Sequence, residues 1–305
     1  MIGRSVWLTI TVTANLILLA HVAEADVFHF NCPRLPFPVL THSRDIDAVC
    51  GVRGDQPSGP KALQNALKNN LCSGGNVTTL HQADFEALQR VVSERGIGFG
   101  AVGFGANRRE FFPDDRAALS NFISMNGRAI GEGAYVQFAA YVDNPHYSDV
   151  GRGESVNCAI PGNEMNDIHI NLVQQPIPKP PTRNNPDRDE IMAERDQALC
   201  HAVVAEIIPH YRPQVWELQQ LRAVANKQIP VRFTGQLFFD ASHFPCNGDE
   251  PHPGESLKRA SLWEIHPVYS IDVCNARTLR QCQADDEAAW TPLDEWVQTV
   301  ASRHR

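Results

Sequence analysis

Histidine and carboxylate side chains recur together on segments that the sequence predicts to be β-strands. The run 167–173 (DIHINLV) alternates polar and apolar residues, so Asp167 and His169 share one face because side-chain direction repeats every two residues. Glu264 and His266 share a face of a later predicted strand by the same rule. Each pair combines two side-chain types that bind metal ions and transfer protons.

Three further residues belong to the same chemical set. Glu206 lies within a predicted strand, Asp240 ends another strand, and His243 follows in the turn after Asp240. If the strands pair as neighbours in one sheet, these side chains approach the two pairs described above. We therefore expect a shared pocket whose members are Asp167, His169, Glu206, Asp240, His243, Glu264 and His266.

Such a pocket could perform three kinds of chemistry. Neutral imidazoles and carboxylates suit zinc and other first-row divalent ions. The expected ligands are His169, His243, His266, Asp167 and Asp240. A metal with an open coordination position would activate water for phosphodiester or related cleavage, with Glu264 or Glu206 as the base. Without a metal, histidine beside carboxylate forms an acid–base pair, or the polar face binds a small polar ligand such as a sugar.

The alternative interpretation is a solvated strand face with no site. Asp, Glu and His are common on exposed faces of sheets. Asp240 could simply cap nearby amides in a turn, and His266 before Pro267 could bond a neighbouring carbonyl. The two interpretations can be distinguished by structure. On a solvated face these side chains would be separated and exposed to solvent, whereas in a site they would lie close together.

Five strands and one helix must position these residues. The predicted strands cover 133–142, 167–173, 201–208, 231–240 and 261–274, and a helix covers 214–227. Three strands, a helix and two strands is the order of an OB-fold, whose helix plugs one end of a small barrel. An open α+β sheet is the alternative topology. The sequence thus favours an α+β chain with an OB-fold-like five-stranded β-barrel.

The residues before the barrel predict a helical N-terminal segment. Short amphipathic helices are expected at 61–71 and 84–94, and a third short helix at 114–124. A proline-rich loop is expected at 174–189 and an acidic helix or tail at 285–300. Glu154 and Asn157 are expected to line the mouth of the barrel. The resulting division is a signal at 1–25, a helical N-terminal segment at 26–126, an OB-like barrel at 127–278, and a C-terminal acidic helix or tail at 279–305.

The first 25 residues have the parts of a secretory signal. Arg4 precedes an apolar run over 6–22, and Ala23 and Ala25 form a small-residue cleavage site. A membrane anchor is the weaker alternative, because threonine and asparagine dilute the run and no stop-transfer charges follow. No later segment approaches the roughly 20 apolar residues that a bilayer requires. We expect cleavage after Ala25, no membrane span thereafter, and a periplasmic or extracellular location.

The cysteines agree with export. All eight follow the signal, and none forms a Cys-x-x-Cys pair of the kind that binds zinc. An even count in an exported chain is typical of disulfides, so four bridges are expected, with their pairing left open. The net charge is −8, and no lysine- or arginine-rich run is present. Non-specific nucleic-acid binding is therefore disfavoured, since it depends on a basic surface.

Four motifs that carry the polar residues resemble those of a group of bacterial exported proteins of unassigned function. They are GESVNC at 153–158, DIHI at 167–170, TGQLFFDASH at 234–243 and WEIHPVY at 263–269. The resemblance covers residues 50–274 and implies kinship. It implies no activity, and no catalytic role is carried over from it.

The sequence favours a binding module that holds a divalent metal or a small polar ligand on its histidine–carboxylate face. Zinc is the leading candidate among the metals. A metal-dependent hydrolase and a disulfide-stabilised structural protein of the envelope are the two alternatives. Whether the protein is an enzyme stays open. The mutual position of His169, His243 and His266 separates the hypotheses, because imidazoles on opposite sides of the barrel would leave no shared site.

Overall fold

The computed structural model describes residues 45–102 and 109–302. The predicted signal at 1–25 and the start of the N-terminal segment lie outside them. Among the described helices, none combines the length and the apolar character needed to cross a bilayer.

Two helices precede the barrel, as the amphipathic patterns predict. They are α1 (Gly59–Lys68) and α2 (Gln82–Glu94). Short strands also occur here: β1 (Thr78–Thr79), β2 (Ala101–Val102), β3 (Arg109–Glu110), β4 (Ile123–Met125) and β5 (Arg128–Ile130). The helix predicted at 114–124 is wrong. Only a 3-10 turn forms there, because Asn126 and Gly127 both have positive φ and turn the chain into the β4–β5 hairpin.

Five strands then close into a barrel. They are β6 (Tyr135–Tyr147), β7 (Ile168–Val173), β8 (Val203–Ile207), β9 (Pro230–Phe239) and β10 (Trp263–Cys274). The chain runs β6, β7 and β8 as antiparallel neighbours, β8 pairs in parallel with β10, and β9 pairs antiparallel with both β10 and β6. This closed order confirms the OB-fold-like barrel.

The remaining elements pack around this barrel. The helix α3 (Arg188–Leu199) was not predicted: its first two residues fall in the predicted loop, and no element was assigned to the rest. The helix α4 (Leu218–Lys227) is the helix predicted between the third and fourth barrel strands. The strand β11 (Trp290–Pro292) pairs with β10, and α5 (Leu293–Ser302) ends the described chain. The predicted C-terminal helix is therefore shorter than expected, because its first residues form β11.

Alternate residues of the barrel strands build an apolar core. Ile168, Ile170 and Leu172 of β7 belong to one buried cluster with residues of the other four strands and of α2 and α4. The opposite side of each strand carries the polar residues, yet every residue of β7, β8 and β9 is buried. Both faces of the barrel wall are therefore covered.

The helix α1 and the segment around residues 154–158 contact residues of this outer face. Gln236 of β9 donates from Nε2 to the carbonyl of Leu67 at the end of α1, at 2.8 Å. A disulfide joins Cys50, ahead of α1, to Cys158. Covalent and hydrogen-bonded links thus hold two separate stretches of chain near the polar face of the barrel.

Three disulfides join described cysteines, and they favour an oxidising environment. They are Cys50–Cys158, Cys200–Cys246 and Cys274–Cys282. Cys72 is disulfide-bonded as well, so the described residues contain no free cysteine.

Candidate metal centre

Neighbouring strands bring the acid and histidine residues side by side on the outer face. His169 of β7 lies directly opposite Glu206 of β8 in the antiparallel ladder. Ile265 pairs with Ala205, which sets Glu264 and His266 of β10 beside Glu206 on the same face. The alternation read from the sequence therefore positions these four side chains, because each points away from the apolar core.

Glu206 is the centre of the arrangement. Its Oε1 lies 3.2 Å from Nε2 of His169, and its Oε2 lies 2.9 Å from Nδ1 of His266 and 3.8 Å from Nζ of Lys68. Its side chain is completely buried. Burial alone would raise the pKa of Glu206, but the charges of His169, Lys68 and His266 hold that pKa well below its usual range. Glu206 is therefore a buried carboxylate that stays ionised.

The imidazole ring of His266 lies between two carboxylates, that of Glu264 at Nδ1 and that of Asp167 at Nε2. Its Nδ1 lies 3.0 Å from Oε1 of Glu264, whose Oε2 accepts a hydrogen bond from Arg259 at 3.0 Å. Its Nε2 lies 3.6 Å from Oδ2 of Asp167. Burial lowers the pKa of His266, but the neighbouring Glu206 and Glu264 outweigh it and raise that pKa to about 9. In the absence of a metal, His266 is therefore protonated at neutral pH.

Asp167, His169 and Glu154 form the outer part of the arrangement. Glu154 Oε1 lies 3.4 Å from Nε2 of His169, and Asn157 donates to Oδ1 of Asp167 at 2.9 Å. Burial, reinforced by the charge of Glu154, raises the pKa of Asp167 to about 7. Burial opposes the charge of His169, but Glu206 and Glu154 raise the pKa of His169 well above its usual range.

Lys68 supplies a cation from the last turn of α1. Its Nζ lies 2.7 Å from Oδ2 of Asp240, and the Oδ1 atom of the same carboxylate accepts from Gln64, also on α1, at 3.1 Å. Burial lowers the pKa of Lys68, but Asp240 and Glu206 raise it well above its usual range. Lys68 is therefore a fixed positive charge beneath the helix.

We call these contacting residues the buried cluster. Its members are Lys68, Glu154, Asp167, His169, Glu206, Asp240, Arg259, Glu264 and His266. His243 lies at its edge, with Nδ1 2.9 Å from Oε2 of Glu255 and Nε2 3.7 Å from Oδ2 of Asp240.

Within the buried cluster, three groups of ligand atoms lie within 4.8 Å of one another. They are Glu154–Asp167–His169, Asp167–Glu206–His266 and Glu206–Asp240–Glu264. Each group could hold a metal ion, since carboxylate oxygens and imidazole nitrogens are the ligands that divalent ions take. Asp167 and Glu206 are each shared by two groups, so the three groups are continuous.

The structure brings together the residues that the sequence nominated. Asp167, His169, Glu206, Asp240, Glu264 and His266 all belong to the buried cluster, whereas His243 joins none of the three ligand groups. A merely solvated face is the wrong interpretation, because the strand-borne acids and His266 have no exposed surface and His169 is only 7% exposed.

Sequence reasoning missed two members and misjudged a third. Lys68 lies on a helix interpreted from its leucine stripe, and Arg259 lies in a loop before β10 without any periodic pattern. Glu154 was expected at the mouth of the barrel but contacts His169 on its outer face. The sequence contains one indication that Lys68 could belong to the site. Gln64 lies four residues earlier, so the two polar side chains share one face of α1, and both are buried in the structure.

No protein-family model, curated protein or solved structure matches the chain. The chemistry of the buried cluster combines carboxylates, imidazoles and two fixed cations in a region that is largely shielded from bulk water.

Proposed function

We propose that the protein is an exported binding module that holds a divalent metal ion, zinc first, at Asp167, Glu206 and His266. One observation carries the proposal. Within the described residues, Oδ2 of Asp167, both carboxylate oxygens of Glu206 and Nε2 of His266 are buried and make no regular hydrogen bond, although each lies within 4 Å of an oppositely charged group. Buried polar atoms normally form hydrogen bonds, and each of these three residues offers a ligand atom within 4.8 Å of the other two, so the arrangement supports a bound cation.

Charge in the buried cluster supports the same conclusion. Five carboxylates face two fixed cations, Lys68 and Arg259, so three negative charges remain when all the carboxylates are ionised. Without a metal, protons offset this excess, as the raised pKa values of His169, His266 and Asp167 indicate. A divalent ion would replace these protons, because metal ligands bind in their deprotonated form.

The surroundings of His266 suit a metal ligand. Glu264 contacts its Nδ1 and is itself fixed by Arg259, which leaves Nε2 directed towards Asp167. A carboxylate on the far nitrogen of a histidine is the usual outer partner of a ligating imidazole, because it fixes the ring and raises its basicity.

A metal ion fits this location better than a small organic ligand. Asp167, Glu206 and His266 have no exposed surface, so a sugar-sized molecule could reach them only if the covering chain moved. A bare ion needs only the space between its ligands. The small polar ligand expected as an alternative is therefore the less favoured occupant.

Export is part of the proposal. It is supported by the disulfides, which favour an oxidising environment, and by the signal pattern at 1–25. The kinship with bacterial exported proteins also stays a proposal. All four motifs that carry the resemblance contribute to the buried cluster, through Glu154, the Asp167–His169 pair, Asp240 and the Glu264–His266 pair.

Metal content tests the proposal directly. Protein purified without chelator should contain at least one equivalent of a divalent metal by elemental analysis, and chelator-treated protein should gain thermal stability when zinc is added. Asp167→Asn and His266→Gln should lose both properties. His201→Gln should keep them, because His201 forms an exposed pair with Asp249 at 2.7 Å. Negligible metal in the purified protein, together with no thermal shift on adding zinc, manganese or calcium, would overturn the proposal.

A metal-dependent hydrolase of phosphodiester or related bonds is the second candidate. It is favoured by the partial exposure of Glu154 and His169, whose side chains are 19% and 9% accessible at the outer end of the buried cluster. A substrate would approach from there, since Glu206 and Glu264 are completely buried. Metal-loaded protein should then hydrolyse bis(p-nitrophenyl) phosphate, with the activity abolished in His266→Ala. Equal rates for wild type and variant would rule this candidate out.

A further inference from the structure

We propose that the buried cluster holds two metal ions, the second at Glu154, Asp167 and His169, with the Asp167 carboxylate bridging both. The inference rests on the proposed function, because the first ion occupies the Asp167–Glu206–His266 group. The two groups share only Asp167, and each has its own histidine. Two-metal sites in proteins characteristically place ions about 3.5–4 Å apart.

The second group has the atoms that a metal ion needs. Its three ligand atoms lie within 4.8 Å of one another. Nε2 of His169 is buried and has no hydrogen-bond partner within the described chain, although carboxylate oxygens of Glu154 and Glu206 lie 3.4 Å and 3.2 Å from it. An imidazole nitrogen close to carboxylate oxygens is therefore present in this group as in the first.

The third group does not need an ion, because it already contains a cation. Nζ of Lys68 lies 2.7 Å from Asp240 and 3.8 Å from Glu206, two of the three members of that group. A lysine ammonium and a metal ion would compete for the same negative potential. The number of ions is therefore two rather than three.

Charge balance is compatible with a second ion. With the five carboxylates ionised, Lys68 and Arg259 leave three negative charges, so one divalent ion leaves a net charge of −1 and two divalent ions leave +1. The residual charge is therefore of the same size with either number of ions. The second group is the part of the buried cluster nearest to solvent, since Glu154 is 19% accessible. Its ion should therefore exchange faster and bind more weakly than the first.

Titration of chelator-treated protein with manganese separates the two sites. Elemental analysis after gel filtration should give two ions per wild-type chain, and electron paramagnetic resonance should show the coupled spectrum of two manganese ions that share a ligand. Glu154→Gln keeps the side-chain shape but removes the charge. It should bind one ion with the spectrum of an isolated manganese, while His201→Gln should behave as wild type.

The outcomes distinguish the two proposals. One uncoupled ion in wild type that Glu154→Gln leaves unchanged would overturn the second site and keep the first. No ion in wild type would overturn both. His169→Gln gives an independent check, because it should also reduce two ions to one; two ions retained in both variants would overturn the assignment of the second site to these residues.

Discussion

The ammonium group of Lys68 lies 2.7 Å from the carboxylate of Asp240, and both side chains are buried between α1 and the outer face of the barrel. The two residues are far apart in the chain: Lys68 is the last residue of α1, and Asp240 directly follows β9. The pair joins the helix to the strands electrostatically. It also supplies a cation of the protein's own to the Glu206–Asp240–Glu264 group.

Replacing Lys68 by methionine should strongly destabilise the metal-free protein. The change leaves Asp240 ionised and buried without its partner, which typically costs about 3–5 kcal/mol of unfolding free energy. Chemical denaturation measures this loss. Added zinc should recover part of it, because the three carboxylates of the emptied group remain close together.

The control for this variant is Lys61→Met. Lys61 forms a partly exposed pair with Glu110 at 3.3 Å, and such pairs contribute about 1 kcal/mol or less. Equal losses for Lys61→Met and Lys68→Met would contradict the role assigned to the buried pair.

The metal-free protein should lose stability as the pH rises from about 7 to 9. The folded-state pKa of His266 is raised to about 9, above the ordinary histidine value of about 6.5. Its contribution is therefore fully present below pH 6.5 and is lost as the pH passes through 9. The shift corresponds to an unfolding free energy on the order of 3 kcal/mol.

Denaturation curves measured with chelator at pH 6.5 and 9 test this dependence. His266→Gln should show a weaker fall over the same range, because only the remaining groups with raised pKa values, among them His169 and, near pH 7, Asp167, then contribute with the same sign. A wild-type stability that rises between these pH values would contradict the ion pairs around Glu206.

Removing the Cys50–Cys158 disulfide should weaken metal binding as well as stability. The bridge spans 108 residues and ends beside the Ser155–Asn157 turn. Glu154, just before this turn, contacts His169, and Asn157 within it donates to Asp167. Chain entropy assigns a loop of this size about 5 kcal/mol. Denaturation and zinc titration of the double alanine variant measure both effects.

The matched control removes Cys274–Cys282, which spans 8 residues at the far end of β10 from Glu264 and His266. This variant should lose less stability, about 2.5 kcal/mol on the same entropy argument, and should bind zinc like wild type. If both double variants bind zinc equally well, the bridge does not position the covering segment.

Gly235→Ala should disturb the strand that carries His266. A Cβ atom at Gly235 would lie 2.4 Å from the carbonyl oxygen of Pro267, where β10 departs from regular pairing with β9. Overpacking of this kind costs about 1–3 kcal/mol. Gly151→Ala, which meets no atom within 4 Å, should be close to neutral. Identical stabilities for the two variants in thermal unfolding would show that the close contact is unimportant.

The order of elements follows from local pattern. Alternation predicted the strand at 167–173, and its register put Asp167 and His169 on the face opposite the apolar core, because direction along a strand repeats every two residues. The two wrong or missing helix predictions also have local causes. No helix forms at 114–124, because the chain turns at Asn126 and Gly127 into the β4–β5 hairpin. The helix α3 was not predicted, because its sequence lacks a clear apolar stripe.

By itself, the sequence determined which residues point outward and that five strands could form a barrel. Only the tertiary structure decided that this outer face is buried. Its covering comes from α1 and from a segment tied by Cys50–Cys158, which are distant in the chain from Glu206. Electrostatics in a buried cluster depend on distance and solvent rather than on sequence spacing, so the partnership of Lys68 with Asp240 could emerge only in three dimensions.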